Sequence, residues 1–469
     1  MRRHLLPALL VVVAAVAGVL GIRSVPPASG EPQARSEPPA AAPVLSARRV
    51  PVLLVGPVGE RHIRDDIGSL AGTLPQPSCV FVSEGDRTLF ELAPDEPLVP
   101  ASTLKLVTAV TVLSHLDASE TLRTTVKAVA PPADGALAGD LWLVGGGDPV
   151  LGTQAWGDSF ERQPALRTSM EALADRVVSS GIRSVQGRVL GDDSRYDTTR
   201  YVETWPDRYR QQVGPLSALT VNDGFVRFLG GSGPFPDPPA GAAGALTELL
   251  RARGVEVVGG AGAGVSPPEA VTEVASIDSP PVLELVRQML RESDNGTAEL
   301  LLKEVGRRTA GEGSTSAGAA VAERTLVELG LDVEGVDVVD GSGLDRGNRV
   351  TCRLLHDLLR AVDAGGELEG GLPVAGVTGT LSRRFLDSPV SGHLRAKTGS
   401  LDNVSALAGY ADTRHEGELT FALVLNGLGL RADPTPVQSA LAELLVTYPD
   451  VPALAELGPG AWPGLDRSG

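Results

Sequence analysis

The chain has 469 residues, of which 42% are hydrophobic, and a formal net charge of −17, so it is long enough for two or three domains with sizeable cores. An acidic balance excludes the basic footprint that nucleic acid requires. Two cysteines and six histidines form no metal-ligand spacing and no His-Glu-x-x-His, and no Ser/His/Asp arrangement is evident, so neither a metal nor a cofactor is expected.

In chain order, Arg2-Arg3-His4 and the uncharged run Leu5–Ile22 read as an export signal or an N-terminal membrane anchor, two alternatives that the pattern leaves open. Residues 23–50 are rich in Pro, Ala and Ser and read as a flexible linker. Cys79–Ser83 and Leu89–Leu92 read as two strands joined by a turn at Glu84-Gly85-Asp86. Whether Cys79 pairs with Cys352 is left open by spacing alone.

Leu104, Val107, Val110 and Leu113 or Leu116 then repeat with a helical period behind Pro100-Ala101, which places Ser102 in the first turn and Lys105 one turn on. Positions three apart share a helix face, so the hydroxyl and the amine fall within hydrogen-bond reach. A serine becomes a nucleophile when a neighbour removes its proton, and a buried lysine near a helix start can be neutral enough to do so. Ser-x-x-Lys is a common pattern, and by itself Ser102 could be only a cap. Composition changes its weight. Only four lysines, at 105, 127, 303 and 397, stand among 41 basic residues, and lysine, unlike arginine, can be deprotonated for catalysis.

After about residue 121, Leu141–Val144 and Gly187–Leu190 read as strands, and residues 165–180 as a helix. Gly145-Gly146-Gly147 lacks a following Gly-Lys-Ser/Thr and reads as a turn. Gly230–Ala240 reads as a linker before a helix at Leu246–Arg253. Ser293-Asp294-Asn295 lies between two helical segments, Val282–Leu290 and Thr297–Val305, where side chains can enter a cleft. Lys397-Thr398-Gly399-Ser400 opens a run of three strands, and Gly399 suits a strand that must be closely approached.

Ser-x-x-Lys, Ser-Asp-Asn and Lys-Thr-Gly occur here in the order that marks penicillin-binding proteins and class A β-lactamases. With Gly139–Pro149, Ser217–Asp223 and Asp340–Arg346, residues 65–445 resemble the class C low-molecular-mass penicillin-binding proteins, the D-alanyl-D-alanine carboxypeptidase/endopeptidase family. That resemblance implies a mixed α/β fold: a transpeptidase/β-lactamase-like domain, a mixed sheet flanked by helices, with an inserted second domain. The expected division is 1–22 signal or anchor, 23–50 linker, 51–122 with 279–448 catalytic, 123–278 inserted and 449–469 tail. Family members commonly nest a third, β-rich domain, which is expected to be absent here because Phe225–Phe228 leads through a short linker straight to a helix.

The resemblance also implies roles. Ser102 would be acylated by the penultimate D-alanine, Lys105 would take its proton, and Ser293 with Lys397 would relay a proton to the leaving group. Asn295 would hold the substrate amide. Thr398 and Ser400, on the strand of Gly399, would hold the terminal carboxylate, whose charge Lys397 favours. The backbone N–H groups of Ser102 and Ser400 would form the oxyanion hole. Asp192 and Arg346 would bind the free end of the peptide's diamino acid. The partners implied are a peptidoglycan stem peptide and β-lactam antibiotics, met outside the cytoplasm in a secreted or membrane-anchored enzyme. A β-lactamase would need a deacylating glutamate that no stretch between Ser102 and Ser293 offers, and a catalytically idle wall-binding protein would have no use for the intact motifs.

Overall fold

The computed structural model describes residues 50–227, 232–362, 366–414, 417–429 and 432–450. The readings of the signal or anchor, of most of the linker and of nearly all of the tail lie outside these residues. The architecture below is that of the compact unit to which the described residues from Leu53 onward belong.

In chain order the elements used here are α1 (Val50–Ala71), β1 (Ser78–Glu84), β2 (Arg87–Leu92), α2 (Lys105–His115), β3 (Arg123–Ala128), β4 (Leu141–Val144), α3 (Met170–Ser179), β5 (Val189–Asp192), α4 (Pro238–Arg251), β6 (Ala261–Ala263), β7 (Thr272–Asp278), α5 (Val282–Glu292), α6 (Asn295–Thr309), α7 (Thr315–Glu328), α8 (Cys352–Val362), β8 (Leu394–Leu401), β9 (Val404–Asp412), β10 (Glu418–Asn426) and α9 (Thr435–Thr447). One sheet has the order β8-β9-β10-β1-β2, antiparallel throughout. A second, β6-β5-β4-β3-β7, is mixed: β6, β5 and β4 are parallel, β3 and β7 antiparallel. The expected mixed pairing is therefore in the second sheet, and the strand of Lys397 belongs to the antiparallel one.

Both faces of the first sheet are covered, which explains why β10 reads as a nearly continuous apolar run. Successive side chains point to opposite faces. Phe81, Ala408, Ala422 and Val424 enter a core with α2, α5, α6 and α8, while Val80, Val82, Leu407, Phe421 and Leu423 enter another with α1 and α9. Helix α2 is buried on every side from Lys105 to Val112, the composition of a central helix.

Residues 126–277 close around a separate hydrophobic core. Its first and last strands lie side by side, with Arg123 opposite Asp278, so the chain enters and leaves at one place. Two elements differ from the sequence reading. Helix α4 begins at Pro238, inside the expected linker, because Asp237 caps it through Ala240 N and the two prolines occupy its first turn, where their missing N–H groups do no harm. The sequence reading assigns no element to residues 51–71, where the structure has α1 with Pro57 inside it.

A disulfide joins Cys79 on β1 to Cys352 at the start of α8. A Ser/His/Asp arrangement not evident in the sequence also lies here: Ser83 Oγ is 2.7 Å from His356 Nε2, and His356 Nδ1 is 2.7 Å from Asp357 Oδ1. Ser83 and His356 are buried between sheet and helix, out of reach of a substrate, so the group pins α8 to β1. The disulfide spans 273 residues, so its removal frees much unfolded-chain entropy. Reducing it, or replacing both cysteines by serine, is expected to lower stability by about 2–5 kcal/mol, read as a drop in denaturant midpoint against the untreated protein.

Candidate active site

Ser102 lies in a 3-10 turn, Ala101–Leu104, that runs directly into α2, rather than in the α-helix itself. In a 3-10 turn residues i and i+3 eclipse, so Lys105 stands behind Ser102 and its Nζ donates to Ser102 Oγ at 3.1 Å. The same amine donates to Asn295 Oδ1 at 2.7 Å and to Ser342 O at 2.6 Å. Ser102 is half-buried and Lys105 fully buried.

Ser293 ends α5 in the left-handed conformation, with φ 59°, and Asp294 caps α6 by accepting from Thr297 N. That tight corner turns Ser293 and Asn295 toward α2 and β8, so capping and site placement are one feature. Lys397 Nζ donates to Ser293 Oγ at 2.9 Å and to Thr398 O at 2.8 Å. Thr398 Oγ1 lies 2.9 Å from Thr380 Oγ1, and the Ser400 side chain is exposed. Two lysine-hydroxyl pairs thus stand near one another, with buried amines and half-buried hydroxyls.

Burial pulls the Lys105 amine down to about 8, against the opposing pull of Asp340, Glu299 and Asp294. Burial, and then the charge of Lys105, hold Lys397 well below the usual lysine range. Each amine therefore gives up its proton more readily than an ordinary lysine.

Two glycines let these parts meet. A Cβ on Gly399 would lie 2.7 Å from Pro100 O and 3.1 Å from Ser102 N, so β8 is closely approached, as the sequence suggested, by the turn that carries Ser102. A Cβ on Gly343 would lie 1.9 Å from Ala101 O, and its φ is +82°. The Asp340–Gly343 turn that carries the Ser342 carbonyl is thereby pressed against the same turn.

Asp192 and Arg346 are not joined to this cluster by a hydrogen bond among the described residues. Asp192 is buried at the end of β5, where burial pushes its carboxyl up, but donation from Ser194 and Ser266 holds it below the ordinary range. Arg346 is exposed and donates to Asp402 O. The sequence reading missed Ser342 and Glu299. Ser342 acts through its backbone, which no side-chain pattern reveals, whereas Glu299 lies four residues beyond Asn295, a spacing that marks a shared helix face.

The model of the D-Ala-D-Ala carboxypeptidase 3 (S13) family matches residues 77–229 and 235–448. The chain belongs to that family. It is a serine-type D-Ala-D-Ala carboxypeptidase, a hydrolase of the penicillin-binding type, whose family points to the cell envelope. It is 31% identical to the D-alanyl-D-alanine carboxypeptidase of Actinomadura sp. (strain R39), over 82% of this chain and 85% of that one. It is 33% identical to carboxypeptidase DacB of Mycolicibacterium smegmatis, over 84% and 87%. Penicillin binding protein 4 (dacB) of Haemophilus influenzae shares the fold, with a TM-score of 0.69 at 20% identity over 80% of this chain and 97% of that one.

Gly343→Ala is expected to force the Asp340–Gly343 turn away from Ala101, costing about 1–3 kcal/mol in stability and slowing carboxypeptidase turnover by about tenfold or more. Thermal melts and hydrolysis of a D-Ala-D-Ala peptide check both.

Proposed function

We propose that this enzyme trims peptidoglycan stem peptides through an acyl-Ser102 intermediate, with Lys105 as the base. The observation that carries this reading is the set of partners around the Lys105 amine. A neutral amine has two N–H groups and one lone pair. As an ammonium Lys105 donates to Asn295 Oδ1, Ser342 O and Ser102 Oγ; because the first two are acceptors only, loss of the third proton leaves the lone pair directed to the Ser102 hydroxyl.

Lys105 then takes the proton as Ser102 Oγ attacks the penultimate D-alanine carbonyl, and the backbone N–H groups of Ser102 and Ser400 receive the oxyanion, each worth about 3 kcal/mol. Ser293, held by Lys397, passes a proton to the nitrogen of the departing D-alanine, and water releases the acyl group. Asn295 keeps its Nδ2 free for the substrate amide. Thr398 and Ser400 hold the terminal carboxylate. The lowered affinity of Lys397 for its proton makes it a donor of N–H bonds more than a fixed charge. Arg346 and Asp192 are assigned to the free end of the diamino acid, an assignment carried chiefly by the exposed Arg346, since each Asp192 oxygen already accepts a backbone N–H.

A β-lactam presents a strained amide in place of the D-Ala-D-Ala bond and would acylate Ser102 in the same way. The H. influenzae protein is known in complex with a β-lactam, which supports the extension to this chain. Export, with the N-terminal run as cleaved signal or membrane anchor, is supported by the basic start and apolar run and by the Cys79–Cys352 bond, a feature of oxidising compartments. Among the described residues no helix is long and apolar enough to cross a membrane. The separate core of residues 126–277 supports reading 123–278 as an insertion into a catalytic domain formed by 51–122 and 279–448. The described residues between Phe225 and Ala245 form one short hairpin and the start of α4, which supports the absence of the nested β-rich domain.

Intact-protein mass spectrometry with benzylpenicillin is expected to show one persistent adduct, lost in Ser102→Ala. Rapid turnover of the drug would point to a β-lactamase instead. Because Lys105 must be neutral to act and its amine titrates at about 8, the acylation rate should rise with pH and level off above about 8. Lys105→Arg, which cannot lose its proton, should lower that rate by about 10²–10⁴-fold.

A further inference from the structure

We propose that Glu299 is a positioning residue that fixes the backbone acceptor of the Lys105 amine and sets how readily that amine gives up its proton. The inference rests on the assignment of Lys105 as the base. Glu299 follows Asn295 by four residues on α6, so both side chains share a face. Asn295 meets the amine directly. Glu299 meets the segment behind it: Oε1 accepts from Gly341 N at 3.0 Å and from Ser342 N at 2.8 Å. The carbonyls of those two residues face α2, where Gly341 O accepts from Thr108 Oγ1 at 2.6 Å and Ser342 O accepts from Lys105 Nζ at 2.6 Å. One carboxyl oxygen therefore decides where an acceptor of the catalytic amine stands.

The other oxygen, Oε2, is buried without a hydrogen-bond partner, and the residue has no exposed surface. A buried carboxylate with one bare oxygen is costly, and a proton on that oxygen relieves the charge. Burial first, and then the neighbouring Asp340, push the Glu299 carboxyl well up from the usual range. The charged groups around the pair are Asp340 from the turn before Gly341, Asp294 from the cap of α6 and Lys397 from β8. Asp340 is itself fully engaged, accepting from Trp205 Nε1, Asn348 Nδ2 and the N–H groups of Gly343 and Asp345.

A protonated Glu299 offers Lys105 no counter-charge, so the amine is easily neutral. An ionised Glu299 would hold the ammonium. The two groups consequently titrate as a coupled system, and removing the ionisable partner must move the titration that acylation reports. This coupling acts through Lys105, since Glu299 touches neither Ser102 nor the cleft.

The test is the pH dependence of benzylpenicillin acylation in the full chain, for wild type, Glu299→Gln and Thr108→Val. Glutamine keeps an oxygen for both backbone N–H groups but never ionises, so its acid limb should lie lower by about half a pH unit or more. Thr108→Val loosens the same backbone without changing charge, and should slow acylation at every pH without moving the limb. A Glu299→Gln limb that superimposes on wild type, or an equal shift in Thr108→Val, overturns the inference. If Glu299→Gln does not fold, infrared spectra of the wild type decide. A protonated-carboxyl band that fades over the pH range in which acylation rises supports the proposal, and the lack of any such titrating band overturns it. Absence of a penicillin adduct on wild type would overturn the assignment of Ser102 and Lys105, and this inference with it.

Discussion

A lysine amine kept neutral inside a protein has to be taken out of water and still be held in place, and the structure around Lys105 is arranged to satisfy both demands. Helix α2 is buried on all sides, which strips the amine of solvent. Asn295 and the Ser342 carbonyl then restore hydrogen bonds without supplying a formal charge. Ordinary lysines occupy surfaces because burial without compensation is too costly. Here that cost loosens the proton of the amine proposed as the base, and the packing of a whole core sustains it.

The same demand explains why three distant segments converge. The turn of Ser102, the corner of Ser293 and Asn295, and β8 with Lys397 belong to separate stretches of chain, and glycine at 399 and 343 removes the side chains that would keep them apart. Residues 195–205, from the region with its own core, reinforce the arrangement from outside. Arg195 and Tyr196 donate to Glu304 on α6, Trp205 Nε1 donates to Asp340 at 2.9 Å, and the buried Lys303 forms an ion pair with the half-buried Asp197. Removing one partner of such a pair leaves an uncompensated charge, so these contacts tie the second sheet firmly to the helix that carries Asn295.

The scarcity of lysine acquires a physical meaning in this setting. Lys105 and Lys397 are buried amines whose protons are weakly held, and Lys303 is buried in an ion pair. Lys127 stands on β3, in the second sheet. Arginine serves the exposed ion pairs, such as Arg87 with Glu60 and Arg353 with Asp95, where a permanent charge and several donors are useful.

Ser102, Lys105, Ser293, Asn295 and Lys397, the residues proposed for catalysis, could be picked out in the sequence because the motifs that carry them depend on residue type and local spacing, and the structure joins them by hydrogen bonds. The strands around Lys397 and helices α5 and α6 were legible for the same reason, since apolar period reports which faces are covered. Helix α4 was misplaced because Asp237, Pro238 and Pro239 suit a loop and a helix start equally well, and only packing against β5 and β6 chooses. The Cys79–Cys352 bond, the Ser83–His356–Asp357 contact and the Ser342 carbonyl were decided by tertiary structure alone. Each joins residues far apart in sequence or acts through the backbone, and no one-dimensional pattern records a distance that folding creates.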